Sequence, residues 1–273
     1  MAGRLDDRGK KFRGVVRSAA SARVLAAQGM EHEVLDLDHP PLPEIQLQGV
    51  DLFYFAPPPR AGQRDQRVRN LLEAFAARGH PRRVVYLSTT GVYGDCRGGW
   101  VDEKQPVNPV VDRARRRWDA EQCFRAWRDA AGGELVILRV AGIYGPGRLP
   151  LDRLRKGLPM IREKEAPFSN RIHIDDLVEV CVAALERGRD GETYNVSDGH
   201  PSTMTDYFNR IADLARLPRP AQIALAEGDT QLSAGMMSYM RESRRLDNSK
   251  MLRELGVSLR YPGLESGLPA CFE

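Results

Sequence analysis

The sequence predicts an α/β protein built on a doubly wound parallel sheet. Three observations carry that prediction. Strand-like and helix-like segments alternate from residue 12 to residue 142. The strand-like segments are near-continuous apolar runs, so both faces of each must be covered, and alternation with helices then implies a parallel sheet. The segments end at glycines and prolines, which punctuate both element types.

The elements follow in order. FRGVVRS (12–18) reads as a short strand, and AASARVLAAQG (19–29) as a helix with a glycine stop. HEVLDLD (32–38) is a second strand. The prolines of DHPPLPEIQ (38–46) mark a connection. VDLFYFAPPP (50–59) is a third strand, stopped by three prolines that cannot donate to a ladder. DQRVRNLLEAFAARG (65–79) is a helix with Val68, Leu71, Leu72 and Phe75 on one face. RRVVYLST (82–89) is the fourth strand, RARRRWDAEQCFRAWRDAAGG (113–133) a helix with a double-glycine stop, and ELVILRVAG (134–142) the fifth strand.

Bulk properties narrow the class. At 273 residues and 30.6 kDa the chain can bury one large core or two unequal lobes. Hydrophobic content of 42% and charged content of 29% are ordinary for a soluble globular protein. A net charge of +4 is too mild to argue for nucleic acid, and the basic run is not interleaved with aromatics. Cys96, Cys123, Cys181 and Cys271 are widely spaced, which suits free thiols in a reducing compartment and gives no zinc pattern. No apolar run reaches the roughly 18–20 residues of a membrane span. The charged N-terminus is no signal peptide, and the cytoplasm is the expected location.

Ligands of a doubly wound sheet gather at the carboxyl ends of its strands. Four such ends carry suggestive residues: Arg17 with Ser18, Asp36 with Leu37, Ala56 with Pro57, and Ser88 with Thr89. Taken singly, each is a polar strand end. In sequence they form a candidate cofactor edge.

Five motifs sharpen the reading: LSTTGVYGD (87–95), LRVAGIYGPGR (138–148), NRIHIDDLVEVCVAALE (170–186), GETYNVSDGHPST (191–203) and SRRLDNSKMLRELGV (243–257). In this order they resemble the NAD-dependent epimerase/dehydratase group of extended or atypical short-chain dehydrogenases/reductases, over nearly the whole chain. The resemblance implies a Rossmann-like dinucleotide-binding domain at residues 1–198, with 144–170 contributing to a substrate lobe. It implies a small C-terminal substrate lobe at 199–273. Thr89 falls where the family holds the reacting oxygen with a hydroxyl; the simpler reading is a threonine capping its own turn. Arg148 and Arg171 match positions that face an anionic substrate. His173, Asp175 and Asp176 fall at a strand–helix junction and read as structural.

Two departures from the family pattern stand out. The first strand and its glycine-rich phosphate loop are missing, and that strand belongs in mid-sheet, between residues 12–18 and 50–56. A misplaced start codon accounts for this better than degeneration, because everything downstream is intact. The second departure concerns the Tyr-x-x-x-Lys pair, whose positions fall on Arg113 and Arg117. Arginine stays protonated and cannot act as a base. Arg117 can still bind cofactor ribose or phosphate, although RARRR also reads as a solvated helix face. Tyr93 is the remaining phenol of the strand-end motif and the candidate acid/base, with Thr89 to hold the reacting oxygen and Arg117 to lower the tyrosine pKa if the helix brings its charge near. Arg17, where an acidic residue would hold the ribose of NAD, favours NADP.

The resulting expectation is an NAD(P)-dependent epimerase, dehydratase or reductase. Its substrate would be nucleotide-sugar-like or another polar small molecule, and no metal, membrane or nucleic acid is expected. The alternative is a non-catalytic, dinucleotide-binding member. The oligomeric state stays open, a homodimer included.

Overall fold

A computed structural model of the chain describes residues 3, 5, 9, 11–42 and 45–272. The helix tail expected before residue 12 lies mostly outside that set, although Gly3 and Leu5 are helical. Pro43 and Glu44 of the proline-rich connection also lie outside it. In chain order the elements are β1 (Gly14–Val16), α1 (Ala19–Ala27), β2 (His32–Val34), β3 (Asp51–Tyr54), α2 (Gln66–Arg78), β4 (Arg83–Thr89), β5 (Trp100–Val101), α3 (Asp112–Ala131), β6 (Glu134–Val140), β7 (Gly142–Tyr144), α4 (Leu151–Arg155), β8 (Met160–Ile161), β9 (Phe168–Ser169), β10 (Arg171–His173), α5 (Ile174–Arg187), β11 (Thr193–Val196), β12 (Ser202–Thr203), α6 (Met204–Leu214), β13 (Gln222–Ile223) and β14 (Arg245–Leu246). The expected strands and helices are all present, the strands shorter by up to a few residues at their ends.

The main sheet has the order β11-β6-β4-β3. β3 and β4 run parallel, with Asp51 opposite Arg83 and Tyr54 opposite Tyr86. β1 and β2 form a separate parallel ladder, with Gly14 opposite His32 and Val16 opposite Val34. Among the described residues no ladder joins β1 to β3, where the absent strand was expected.

The chain divides into two compact units that interleave along the sequence. The first comprises Met1–Ser88, Asp112–Ile137 and Cys181–Glu192; the second comprises Thr89–Val111, Leu138–Val180 and Thr193–Glu273. The divisions between these units include points inside β4, β6 and α5.

The first unit's core is the sandwich that the apolar patterning required. Asp65 caps α2, its side chain accepting from the Val68 amide at 3.3 Å. Val68, Leu71 and Phe75 pack with Val84, Tyr86, Phe124, Trp127 and Ile137. Each such side chain contributes on the order of 1.5–3 kcal/mol by leaving water. In the second unit, Tyr144, Met160, Ile161, Tyr207, Phe208 and Ile211 centre a core completed by Met237, Met240, Leu264 and Leu268.

Candidate active site

The first unit holds the candidate cofactor edge. Ser18 follows β1 and caps α1, its Oγ accepting from the Ser21 amide at 3.2 Å. Arg17 is two-thirds exposed and lies 3.9 Å from Asp36 and 3.5 Å from Asp38. The backbone amide of Asp38 donates to Asp36 and holds that carboxyl below its usual range. Asp38 is held low by Arg67, which grips it through two 2.6 Å hydrogen bonds and also donates to the Pro57 carbonyl at 2.7 Å. Both acids therefore stay ionised, and the charge around Arg17 is nearly balanced. The Leu37 carbonyl accepts from Asn70 Nδ2 at 2.7 Å.

Arg117 is the hub of this edge. Its Nη1 donates to the carbonyls of Ala56 and Leu87, at 3.3 and 3.2 Å, and to the Tyr86 hydroxyl at 3.4 Å. It thus ties the ends of β3 and β4, and among the described residues its Nε and Nη2 make no hydrogen bond. RARRR is not a solvated face: Arg116 is 7% exposed and donates to the Gly62 carbonyl. Ser88, expected at the cofactor, donates to Glu121 Oε1 at 2.6 Å, and Glu121 is fully buried.

The second unit begins at Thr89. Its Oγ1 accepts from the Gly91 amide at 3.2 Å and caps the 3-10 turn Thr90–Tyr93, which leaves its O–H free to donate. Gly94 ends that turn at φ 68°. A Cβ there would sit 2.3 Å from the Asn108 carbonyl oxygen, so only glycine fits. Tyr93 differs from the expectation. It is 1% exposed, and its hydroxyl donates to Asn195 Oδ1 at 2.7 Å. Asn195 in turn donates to the carbonyls of Val101 and Asp247. The Arg139 guanidinium lies 4.8 Å from the Tyr93 ring. The phenol is thus buried and engaged as a donor, where the acid/base expectation called for an accessible one.

Arg148 is exposed, and among the described residues its side chain makes no hydrogen bond or ion pair. Arg171 is 7% exposed, bonded to the Asn170 carbonyl and set 4.2 Å from the Tyr207 ring, where the substrate expectation called for an accessible cation. His173 lies against Tyr144 and Tyr261, while Asp176 accepts from the Arg260 and Tyr261 amides. Burial raises the Asp198 carboxyl to about 7.

Sequence reasoning missed Asp38, Arg67, Asn70, Glu121 and Asn195. Arg67 and Asn70 stand three apart on the buried side of α2, a signal that was available. Asn195 offered none, because it meets Tyr93 from 102 residues away.

Comparison with known proteins agrees with this architecture. The profile of the NAD dependent epimerase/dehydratase family matches residues 66–197. Protein YeeZ of Escherichia coli K12 is 29% identical over 202 residues, covering 72% of this chain and 65% of its own length. The chain thus spans less than two-thirds of that relative. A 3-diazoavenalumate denitrifying reductase from Streptomyces is 27% identical over 98% of this chain and 94% of its own. The solved structure of a functionally unknown conserved protein from Silicibacter pomeroyi superimposes with a TM-score of 0.82 at 33% identity, covering 98% of this chain and 91% of its own. The chain belongs to the NAD-dependent epimerase/dehydratase family.

Proposed function

We propose that the protein is an NAD(P)-dependent epimerase, dehydratase or reductase of the cytoplasm, acting on a nucleotide-sugar-like or other polar substrate. The observation that supports this most is Arg117. It stands at the ends of β3 and β4 with one nitrogen bonded to the protein and, among the described residues, no partner on the other two. Those donors suit ribose hydroxyls or phosphate oxygens. Arg17 and Ser18 at the end of β1 fit the adenosine side, and exposed Arg17 favours NADP over NAD. A bound nicotinamide would supply hydride transfer. The chain's own part is to orient that ring and to hold the substrate oxygen through the Thr89 O–H. Exposed Arg148 is the remaining candidate for an anionic substrate group. The four free thiols suit a reducing compartment.

A second reading is favoured by a specific observation. Position 113 carries arginine, and Tyr93 is buried, so neither phenol position offers an accessible acid/base. On that reading the protein binds dinucleotide and senses it without turnover.

The test is calorimetric titration with NADPH and NADH, paired with hydride transfer against nucleotide sugars and small carbonyls. The first reading expects binding, at least tenfold weaker in Arg117→Ala, together with turnover. Binding without turnover on any substrate selects the second. No binding of either dinucleotide overturns both.

A further inference from the structure

The motif SRRLD (243–247) plays no part in the cofactor edge, yet its strand carries an exposed feature of the second unit. β5 and β14 form a two-residue parallel ladder in which Trp100 stands opposite Arg245 and Val101 opposite Leu246. Alternation along a strand sends the pairs to opposite faces. Val101 and Leu246 point inward, at 1% and 0% exposure, while Trp100 points outward at 56%. Arg245 donates from Nε to the Gly98 carbonyl at 2.7 Å, which fixes its guanidinium. The guanidinium lies 5.4 Å from the Trp100 ring centroid and 4.9 Å from that of Phe168. The two rings are therefore no more than about 10 Å apart. Phe168 is held by its amide, which donates to Ser243 Oγ at 3.0 Å, and is itself 37% exposed. Its ring rests on Gly98, at φ 73°, where a Cβ would come within 3.3 Å of the ring.

Two aromatic faces thus flank a fixed cation, and all three are built into the fold. The charge is uncompensated. Neighbouring Arg244 is paired with Glu242 at 2.9 Å, whereas no carboxylate lies within ion-pair distance of Arg245 among the described residues. A ring–guanidinium–ring strip attracts a flat π-system by stacking and a negative charge by attraction. It is too small for a stable protein interface, which needs about 800 Å² per partner. We propose that Trp100, Arg245 and Phe168 form a binding platform for the aromatic ring of a small anionic ligand. Two sources share that chemistry, the base and phosphates of a nucleotide and a free aryl carboxylate. The platform shares no residue with the dinucleotide edge; where its ligand is a nucleotide it rests on the substrate reading proposed above, which the hydride-transfer test checks separately.

The experiment is fluorescence titration of the full chain, without dinucleotide, using uridine diphosphate in one arm and cinnamate in the other. Trp100→Phe identifies the responding tryptophan among three. The expected result is that one probe binds and changes Trp100 emission. Trp100→Ala and Arg245→Ala should each weaken binding at least tenfold, and Arg245→Lys should recover part of the loss. The probe that binds names the source. Because the Trp100 side chain is exposed, Trp100→Ala should keep the thermal midpoint of the parent, which separates lost binding from lost folding. The proposal is overturned if neither probe binds, or if Trp100→Ala binds as the parent does.

Discussion

The Tyr93 hydroxyl donates to Asn195 Oδ1 at 2.7 Å, and neither side chain is more than 1% exposed. Asn195 spends its own two amide hydrogens on the carbonyls of Val101 and Asp247, and its backbone amide donates to Glu103. Tyr93 therefore pins the turn after β4 to β11 and to the chain after β14. Tyr93→Phe should leave the Asn195 oxygen unpaired in a dry environment, at a cost of about 1–3 kcal/mol. Urea denaturation would show it as a lower midpoint. If turnover is present, it should survive in whatever fraction remains folded. A variant of unchanged stability with no turnover would return Tyr93 to the chemistry.

Arg17 offers a test of cofactor choice. It is 66% exposed and only loosely engaged, at 3.5 and 3.9 Å, with two ionised acids. An arriving 2′-phosphate must compete with both acids, so the preference for NADPH should be modest. Charge-assisted contacts of about 1.5 kcal/mol correspond to roughly tenfold in affinity. Arg17→Asp should erase that ratio, as read by titration with NADPH and NADH. An unchanged ratio would remove Arg17 from the site.

Ser88 and Glu121 make a second buried pair, at 2.6 Å. Glu121 is fully buried, and Arg125 approaches its other oxygen at 3.6 Å. Ser88→Ala takes a donor from a buried carboxylate and should destabilise by about 1–3 kcal/mol. Dinucleotide affinity should hardly move. A large loss of affinity at constant stability would place Ser88 at the cofactor after all.

Much of this was legible in the sequence because it depends on local pattern. The apolar runs that became β3, β4 and β6, and the α2 face of Val68, Leu71 and Phe75, are statements about periodicity. The place of Arg117 came from another source, the spacing of the family's Tyr-x-x-x-Lys pair along a helix, and its reach to the strand ends did not show in the sequence. What escaped depends on long-range closure. Tyr93 looked accessible because its motif ends a strand, and the asparagine that covers it comes from β11. Ser88 looked like a ligand because Glu121 reads as one more polar residue on a charged helix. Arg171 was matched by motif position, while its burial depends on Tyr207 in α6. Arg116 and Arg117 are adjacent, and nothing local separates the one that bonds a loop carbonyl from the one that reaches the strand ends.

Thr89 is the remaining candidate at the reacting oxygen. Its Oγ1 accepts from the Gly91 amide, and its proton is free. Thr89→Val loses both functions with little change in shape. If the enzyme reading holds, kcat should fall by about 10²-fold or more, in line with removal of one donor to a developing oxyanion. Dinucleotide affinity should stay within about twofold. Thr89→Ser, which keeps cap and proton, should restore most of the rate. Equal rates for Thr89→Val and the parent would leave the threonine as a turn cap alone.

Asp198 gives a pH dependence whose sign follows from burial. It is 3% exposed, and burial raises its carboxyl from an ordinary 3.8 to about 7. The groups around it are the His200 amide and imidazole, Arg171 and Asp176. Among the described residues its Oδ2 has no hydrogen-bond partner. Between about pH 4 and 7 the folded protein keeps a proton on Asp198 that the unfolded chain has released. Stability must then fall as pH rises across that window and level off above it. At roughly 1.4 kcal/mol per pH unit, the loss is at most a few kcal/mol. Asp198→Asn keeps an oxygen to accept from the His200 amide and removes the titration. Denaturation of parent and variant at pH 5 and pH 8 should show a drop confined to the parent, with the variant the more stable at pH 8. An equal pH response in both proteins would mean that Asp198 keeps its ordinary acidity in the fold, and that another group sets the slope.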